Sequence, residues 1–115
     1  MSAIKKQKTE QSLKARVLKL IDLVQYQPDA IVSREVVHQK AGSVAIFAFD
    51  RGQQLSEHTA PFDALVHGLE GEAEVTISGQ AHAIHQGEMI IMPANEAHAL
   101  KALTRFKMAL IMVKS

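Results

Sequence analysis

Cysteine is absent from this 115-residue chain, and so is tryptophan. Without thiols the protein has no disulfide, no thiolate zinc site and no cysteine nucleophile, which leaves histidine and carboxylate side chains as the good candidate metal ligands. Absence of disulfides is typical of a reducing compartment, so we expect the cytoplasm. No Gly-x-Ser-x-Gly elbow and no phosphate-binding glycine loop occurs, so the sequence assigns no catalytic residue.

The chain also lacks a long apolar run and a strong net charge. No segment approaches the roughly 18 apolar residues of a membrane helix, and Lys19 and Asp22 interrupt the apolar stretch from Val17 to Val24. We therefore expect neither a membrane span nor export. A formal net charge of +1 gives no support to a nucleic-acid partner. Basic residues crowd the amino end, which predicts a solvated basic arm, with contact to an anionic partner as the alternative.

The hydrophobic period changes once along the chain. From Thr9 or Ser12 to Gln25, apolar residues recur every three or four positions, which predicts a short N-terminal α-helix that ends before Pro28. Beyond Pro28, β-branched residues and regularly spaced turn signals predict nine short strands. These are Ala30 to Val37, Ser43 to Asp50, Leu55 to Thr59, Asp63 to Leu69, Ala73 to Ile77, Ala81 to His85, Glu88 to Met92, Ala97 to Ala102 and Phe106 to Lys114. We predict an arm and helix over residues 1–28 and one β-barrel domain over residues 29–115.

Glycine, histidine and proline recur in two spaced groups between residues 52 and 98. The first group follows the spacing G-x5-H-x-H-x3-E-x6-G with Gly52, His58, Ala60, Ala64 and Gly71, so alanine replaces the second His and the Glu. The second group follows the spacing G-x5-P-x-G-x2-H-x3-N with Gly87, Pro93, Asn95, His98 and Ala102, so Asn95 replaces the second Gly and Ala102 replaces the Asn. Asn95 suits a glycine position because asparagine tolerates left-handed backbone. Over residues 30–114 the chain resembles the small single-domain bacterial members of the cupin superfamily. The resemblance implies an all-β fold, an antiparallel β-barrel of the jelly-roll type, or double-stranded β-helix.

The resemblance also implies a metal site, but half of its ligands are missing. Cupins that use a metal typically hold it with two His and one Glu from the first motif and one His from the second. Only His58 and His98 occupy those positions here, because Ala60 and Ala64 replace the other two ligands. Two neutral imidazoles can bind one divalent transition metal weakly, with water completing the coordination. The alternative is a hydrogen-bonded histidine pair in a partly polar cavity.

Strand alternation predicts which side chains line the barrel. If Ala64 faces inward, Val66 does so too, whereas Asp63 faces outward. A bulge near Pro61 that turns Asp63 inward is one alternative. Another alternative is that the ring of either His82 or His85 points into the barrel. The predicted cavity residues are His58, Ala60, Ala64, Val66, Met92 and His98, with Gly68, Ile90 and one face of residues 106–112.

Two classes of function follow from this lining. The first is a protein that binds a small apolar or amphipathic molecule in the cavity and orients it through His58 and His98. The second is a metal-dependent enzyme, such as an oxygenase, isomerase or decarboxylase, that uses the same two histidines plus solvent or substrate ligands. Because several strands are apolar on both faces and one helix cannot cover the outer sheet, we also predict a homodimer.

Overall fold

Two antiparallel sheets packed face to face dominate the structure, a computed structural model that describes residues 4–7 and 12–114. The ten strands are β1 (Ile4–Lys6), β2 (Ile31–Gln39), β3 (Gly42–Phe49), β4 (Gln54–His58), β5 (Asp63–Glu70), β6 (Glu72–Ile77), β7 (Gln80–His85), β8 (Met89–Met92), β9 (His98–Ala102) and β10 (Phe106–Val113). The nine predicted strands correspond to β2 through β10, with ends that differ by one or two residues. The predicted all-β fold is therefore confirmed.

The strand order is that of a jelly roll. The larger sheet has the order β1-β2-β3-β10-β5-β8, and the smaller sheet has the order β4-β9-β6-β7. Every pairing is antiparallel except the parallel pairing of β1 with β2 at the edge of the larger sheet. The chain crosses repeatedly between the sheets, so the two faces that enclose the interior come from strands distant in sequence. No helix within the described ranges is long and apolar enough to cross a bilayer.

An apolar core fills the space between the sheets. The rings of Phe47 and Phe49 have centroids 6.0 Å apart, as do the rings of Phe49 and Phe106. Phe49 and Phe106 have no exposed surface, and burial of each side chain contributes roughly 1.5–3 kcal/mol relative to an exposed one. The other buried members of this core are Ile31, Ala64, Val66, Ala73, Val75, Ile84, Met92, Leu100, Ala102 and Met108.

A second, smaller core covers the outer face of the larger sheet. Residues 20–26, which we call the amino-terminal strap, lie across this face. The buried Lys107 donates a hydrogen bond from Nζ to the carbonyl oxygen of Ile21 at 2.7 Å, and the Tyr26 hydroxyl donates one to the Glu70 carboxylate at 2.5 Å. These contacts fix the strap on the sheet, where its Leu23 and Val24 pack against an apolar patch made of Val32, Ile46, Ala48 and Ala109.

The predicted N-terminal helix is wrong where it can be compared with the structure. Between residues 12 and 25 there is only a 3-10 turn, Leu20–Asp22, and residues 9–11 of the prediction lie outside the described residues. Ala15 has a φ of 58°, which a right-handed helix excludes. Burial explains the difference, because the strap, with its single 3-10 turn, buries the consecutive Leu23 and Val24, whereas Val17 before it is exposed. Isolated helices of this length are marginal, so tertiary packing decides the conformation.

Part of the outer face remains uncovered. Val37, Val44, Ile111, Leu65 and Ile91 are aligned by register across five neighbouring strands, from β2 to β8. The two ends of this row are the most open, since Val37 is 46% exposed and Ile91 is 49% exposed. This apolar row is the surface on which the predicted homodimer would depend.

Several turns contain left-handed backbone, and Asn95 and Gly71 are two of these positions that belong to the motifs. Asn95 has a φ of 66°, as expected for an asparagine at a glycine position of the second motif. Gly71, between β5 and β6, has a φ of 81°, and the backbone of Arg105 packs directly against its Cα. Glycine at position 71 therefore allows both the left-handed turn and the close packing of this turn against the backbone of Arg105.

Candidate functional site

A cavity of about 250 Å³ lies between the two sheets. Six of the predicted cavity residues line it, namely His58, Ala60, Ala64, Val66, Met92 and His98, whereas the predicted Gly68 and Ile90 do not. The lining residues are Leu55, His58, Ala60, Phe62, Ala64, Val66, Met92, His98, Ala99, Leu100, Met108, Leu110 and Met112. Only His58 and His98 in this set carry a polar side chain. The roles of these residues in binding stay predictions.

Register explains why residues distant in sequence meet here. His58 on β4 and His98 on β9 are direct partners in the smaller sheet. Opposite them, Ala64 on β5 lies between Met112 of β10 and Met92 of β8 in the larger sheet. Each motif segment thus contributes one strand to each sheet, and strands of the two motifs pair side by side in both sheets.

The two imidazoles are in direct contact. Their Nε2 atoms are 3.1 Å apart, and their ring centroids are 4.3 Å apart with the ring planes inclined at 71°. His98 is only 5% exposed, whereas His58 belongs to the exposed residues. His58 therefore lies where the cavity meets solvent, and His98 lies behind it.

Backbone carbonyls determine the tautomer of both rings. His58 Nδ1 lies 2.8 Å from the carbonyl oxygen of Ser56, and His98 Nδ1 lies 3.2 Å from that of Glu96. Because a carbonyl oxygen can only accept, both Nδ1 atoms carry a hydrogen, and in the neutral rings both Nε2 atoms present lone pairs. Two lone pairs at this distance repel each other, so the pair is suited to a shared proton or another Lewis acid.

Burial keeps His98 in its neutral form at ordinary pH. Loss of hydration, and secondarily the proximity of His58, lower the pKa of His98 below its usual range, with a partly opposing effect from the Glu96 carbonyl. A neutral imidazole can accept a hydrogen bond or bind a metal through Nε2.

The donor set does not complete a site for a divalent ion. Structural and catalytic zinc sites use three or four protein ligands, and the described residues hold no cluster of three or more His, Cys, Asp or Glu side chains that could bind one ion. Ala60 and Ala64 line the cavity at the vacant ligand positions and offer no donor atom. Asp63 does not replace them, because its carboxylate accepts a hydrogen bond from the Ala94 amide at 2.8 Å and its side chain is exposed. The alternative of an inward Asp63 is therefore wrong.

Neither further histidine considered from the sequence reaches the cavity. His85 is exposed, with Nδ1 3.0 Å from Glu88 and Nε2 2.5 Å from Glu72. Hydrogen bonds to Glu88 and then to Glu72 raise its pKa. His82 also lies outside the lining. His82 is half-buried on the same face of β7 as the buried Ile84 and pairs with the buried Val75, so its ring is inward, but neither His82 nor His85 lines this cavity.

Several lining residues were missed by strand alternation. Leu55 and His58 are three positions apart, an odd step, yet both line the cavity because the β4–β9 register shifts between them. Phe62 lies before β5, where alternation makes no prediction. The folded sheet, and not the alternation within one strand, brings Leu55 and His58 to the same cavity.

Comparison with known proteins gives a consistent family assignment. The cupin domain family matches residues 45–114. A conserved protein of unknown function from Streptococcus pyogenes is 38% identical, with 88% of this chain and 89% of that chain covered and a TM-score of 0.84. A cupin 2 conserved barrel domain protein from Leptotrichia buccalis is also 38% identical, over 84% of this chain and 47% of that chain, with a TM-score of 0.82.

A third solved structure, a cupin superfamily protein from Desulfitobacterium hafniense, is 26% identical, over 89% of this chain and 94% of that chain, with a TM-score of 0.83. None of the curated proteins matches the sequence. The two spaced motifs, the jelly-roll strand order and the family match over residues 45–114 agree with one another. The chain belongs to the cupin superfamily.

Proposed function

We propose that this cupin binds a small, uncharged and largely apolar organic molecule inside the barrel. The observation that carries the proposal is the lining itself, in which eleven of thirteen side chains are apolar and two neighbouring imidazoles are the polar groups. Ligand sites typically combine an apolar wall with a few convergent polar groups. His58 and His98 are the groups that would orient the ligand.

Size restricts the ligand. An apolar cavity of about 150 Å³ accepts benzene, and drug-sized ligands occupy pockets of roughly 300–1,000 Å³. At about 250 Å³, this cavity suits a substituted six-membered ring or a short branched chain. Ala60 and Ala64 contribute to that space because they bear only a methyl group.

The lack of charged side chains in the lining further restricts which ligands fit. Among residues 4–7 and 12–114, none with a carboxylate, ammonium or guanidinium group lines the cavity. An unpaired charge buried against apolar side chains is costly, whereas a hydroxyl or carbonyl group can hydrogen-bond to an imidazole Nε2. A neutral ligand with one such group therefore fits better than an anion or a cation.

The test uses benzyl alcohol as the probe and benzylammonium as its charged counterpart, with metal-free protein in a chelating buffer. Binding is followed by chemical-shift changes in ¹H–¹⁵N spectra. We expect benzyl alcohol to shift the amide signals of residues that line the cavity, and benzylammonium to bind at least about tenfold more weakly because its charge is unpaired.

A matched pair of variants identifies the site. Ala64→Leu fills the cavity and should abolish the shifts, whereas Ala83→Leu, at an exposed position on β7, should leave them unchanged. Retained binding in Ala64→Leu, or shifts confined to the outer surface, would contradict the proposal.

A metal-dependent enzyme is the second candidate, and the two Nε2 lone pairs favour it. His58 and His98 would hold the ion, with solvent or substrate supplying the remaining ligands. The absence of a third nitrogen or carboxylate ligand from the lining makes this the weaker proposal.

A further inference from the structure

Methionine is concentrated around the histidine pair. Three of the five methionines in the chain, Met92, Met108 and Met112, line the cavity. Met112 and Met92 lie on either side of Ala64 in register, one on each neighbouring strand. Directly paired residues have Cβ atoms about 5 Å apart, so two long thioether chains can converge over the small Ala64 side chain.

The imidazoles are arranged as two ligands of one ion. Both Nδ1 hydrogens are directed to backbone carbonyl oxygens, an arrangement that fixes ring orientation and leaves Nε2 for a metal. With metal–nitrogen bonds of about 2.0–2.1 Å, nitrogens 3.1 Å apart subtend roughly 100° at a shared ion. That angle leaves room for further ligands on the side of the cavity.

The available donors are all neutral, and some are soft. Thioether sulfur selects Cu(I), imidazole also binds copper, and the carboxylates that suit harder divalent ions are missing from the lining. A neutral donor set leaves the full charge of the ion in an apolar surrounding, which penalises a divalent ion more than a monovalent one.

We propose that the cavity binds one soft monovalent ion of the Cu(I) type through Nε2 of His58 and His98 and the sulfur of Met92, Met112 or both. This site goes beyond the organic-ligand proposal and does not depend on it. The thioethers take the place of the missing second His and Glu of the first motif.

The experiment is a competition titration. Metal-free full-length protein is titrated with Cu(I), kept reduced by ascorbate, in the presence of the chromophoric chelator bicinchoninate. A parallel titration uses Zn(II). We expect one Cu(I) per chain and an X-ray absorption spectrum with both nitrogen and sulfur neighbours.

Three variants separate the contributions of the methionines and the histidines to Cu(I) binding. Met92→Leu/Met112→Leu should weaken Cu(I) binding by at least about tenfold, since loss of a group that only hydrogen-bonds to a ligand already costs roughly 10–100-fold, and should leave Zn(II) binding unchanged. Met89→Leu is the matched control because Met89 lies on the same strand but is 56% exposed on the outer face, and it should bind like the unmodified protein. His58→Ala/His98→Ala should lose Cu(I) binding.

Leucine conserves the volume of methionine, so the double variant is expected to fold, and a circular dichroism spectrum checks this. Unchanged Cu(I) affinity in a folded Met92→Leu/Met112→Leu variant would overturn the proposal. So would Cu(I) binding that survives removal of both histidines, or the absence of Cu(I) binding. Because the benzyl alcohol experiment is done in chelator, its outcome is independent of these results.

Discussion

Replacement of Gly71 by alanine should destabilise the barrel by more than backbone strain alone explains. Gly71 and Gly79 have almost the same left-handed φ, 81° and 82°. A Cβ at position 71 would lie 2.7 Å from Thr104 Oγ1 and 3.0 Å from the Arg105 carbonyl carbon, and closer still to the carbonyl oxygen. A Cβ at position 79 would meet nothing within 4 Å.

Alanine substitutions at Gly71 and Gly79 therefore differ in one contribution to the free energy of unfolding. An alanine in left-handed backbone costs about 1–2 kcal/mol at either position. Reduced entropy of the unfolded chain offsets about 0.4–1 kcal/mol of this, again equally at both. Only Gly71→Ala adds the cost of displacing packed backbone, typically about 1–3 kcal/mol. The free energy of unfolding should fall further in Gly71→Ala than in Gly79→Ala by that amount.

Urea unfolding of both variants, followed by circular dichroism in the far ultraviolet, measures the difference. In thermal unfolding of a domain of this size, the same difference of about 1–3 kcal/mol between the two variants corresponds to melting temperatures that differ by roughly 4–12 °C. Equal m-values in the two variants show that they unfold to similar states. Equal losses of stability in Gly71→Ala and Gly79→Ala would refute the claim that Gly71 is needed for the contact with Arg105.

Three further predictions address other parts of the molecule. The pKa of His85 should lie above that of a histidine in an unfolded chain, so its stabilising contribution is complete below the unfolded-state pKa, while Glu88 is still ionised, and is lost as pH rises through the folded-state pKa. An NMR titration should show the pKa fall in Glu88→Gln, and an unchanged midpoint would contradict this. Lys107→Met should lower the free energy of unfolding by about 1–3 kcal/mol, because the Ile21 carbonyl loses its donor, whereas the exposed Lys101→Met should have little effect. Analytical ultracentrifugation at micromolar concentration should show a homodimer, and a single species of 12.6 kDa would contradict it.

The strands and half of the cavity lining were predictable because alternation of side chains is a local property. Ala64 and Val66 point inward for the same reason that Asp63 points outward, and no distant contact changes this. The shift between Leu55 and His58 depends instead on how β4 pairs with β9. Such a shift leaves no mark on the sequence of β4 alone.

The conformation of the amino-terminal segment, in contrast, could not be predicted from its local sequence pattern. A helical period in its apolar residues predicted an α-helix, yet the patch on the larger sheet accepts a strap with one 3-10 turn that buries Leu23 and Val24. The tautomers of His58 and His98 were equally beyond the sequence, since they depend on the carbonyl groups of Ser56 and Glu96. Contacts made only in the folded chain decide both.

The position of Tyr26 gives the protein a built-in optical reporter. Tyr26 is the only tyrosine in a chain without tryptophan, so it dominates the intrinsic fluorescence. Its ring belongs to the strap, where the Glu70 carboxylate accepts a hydrogen bond from its hydroxyl and the Arg105 guanidinium lies 5.1 Å from the ring centroid. The emission therefore reports release of the strap from the outer face, and is remote from the interior lining. Undocking of the strap can be timed separately from melting of the sheets, without any label.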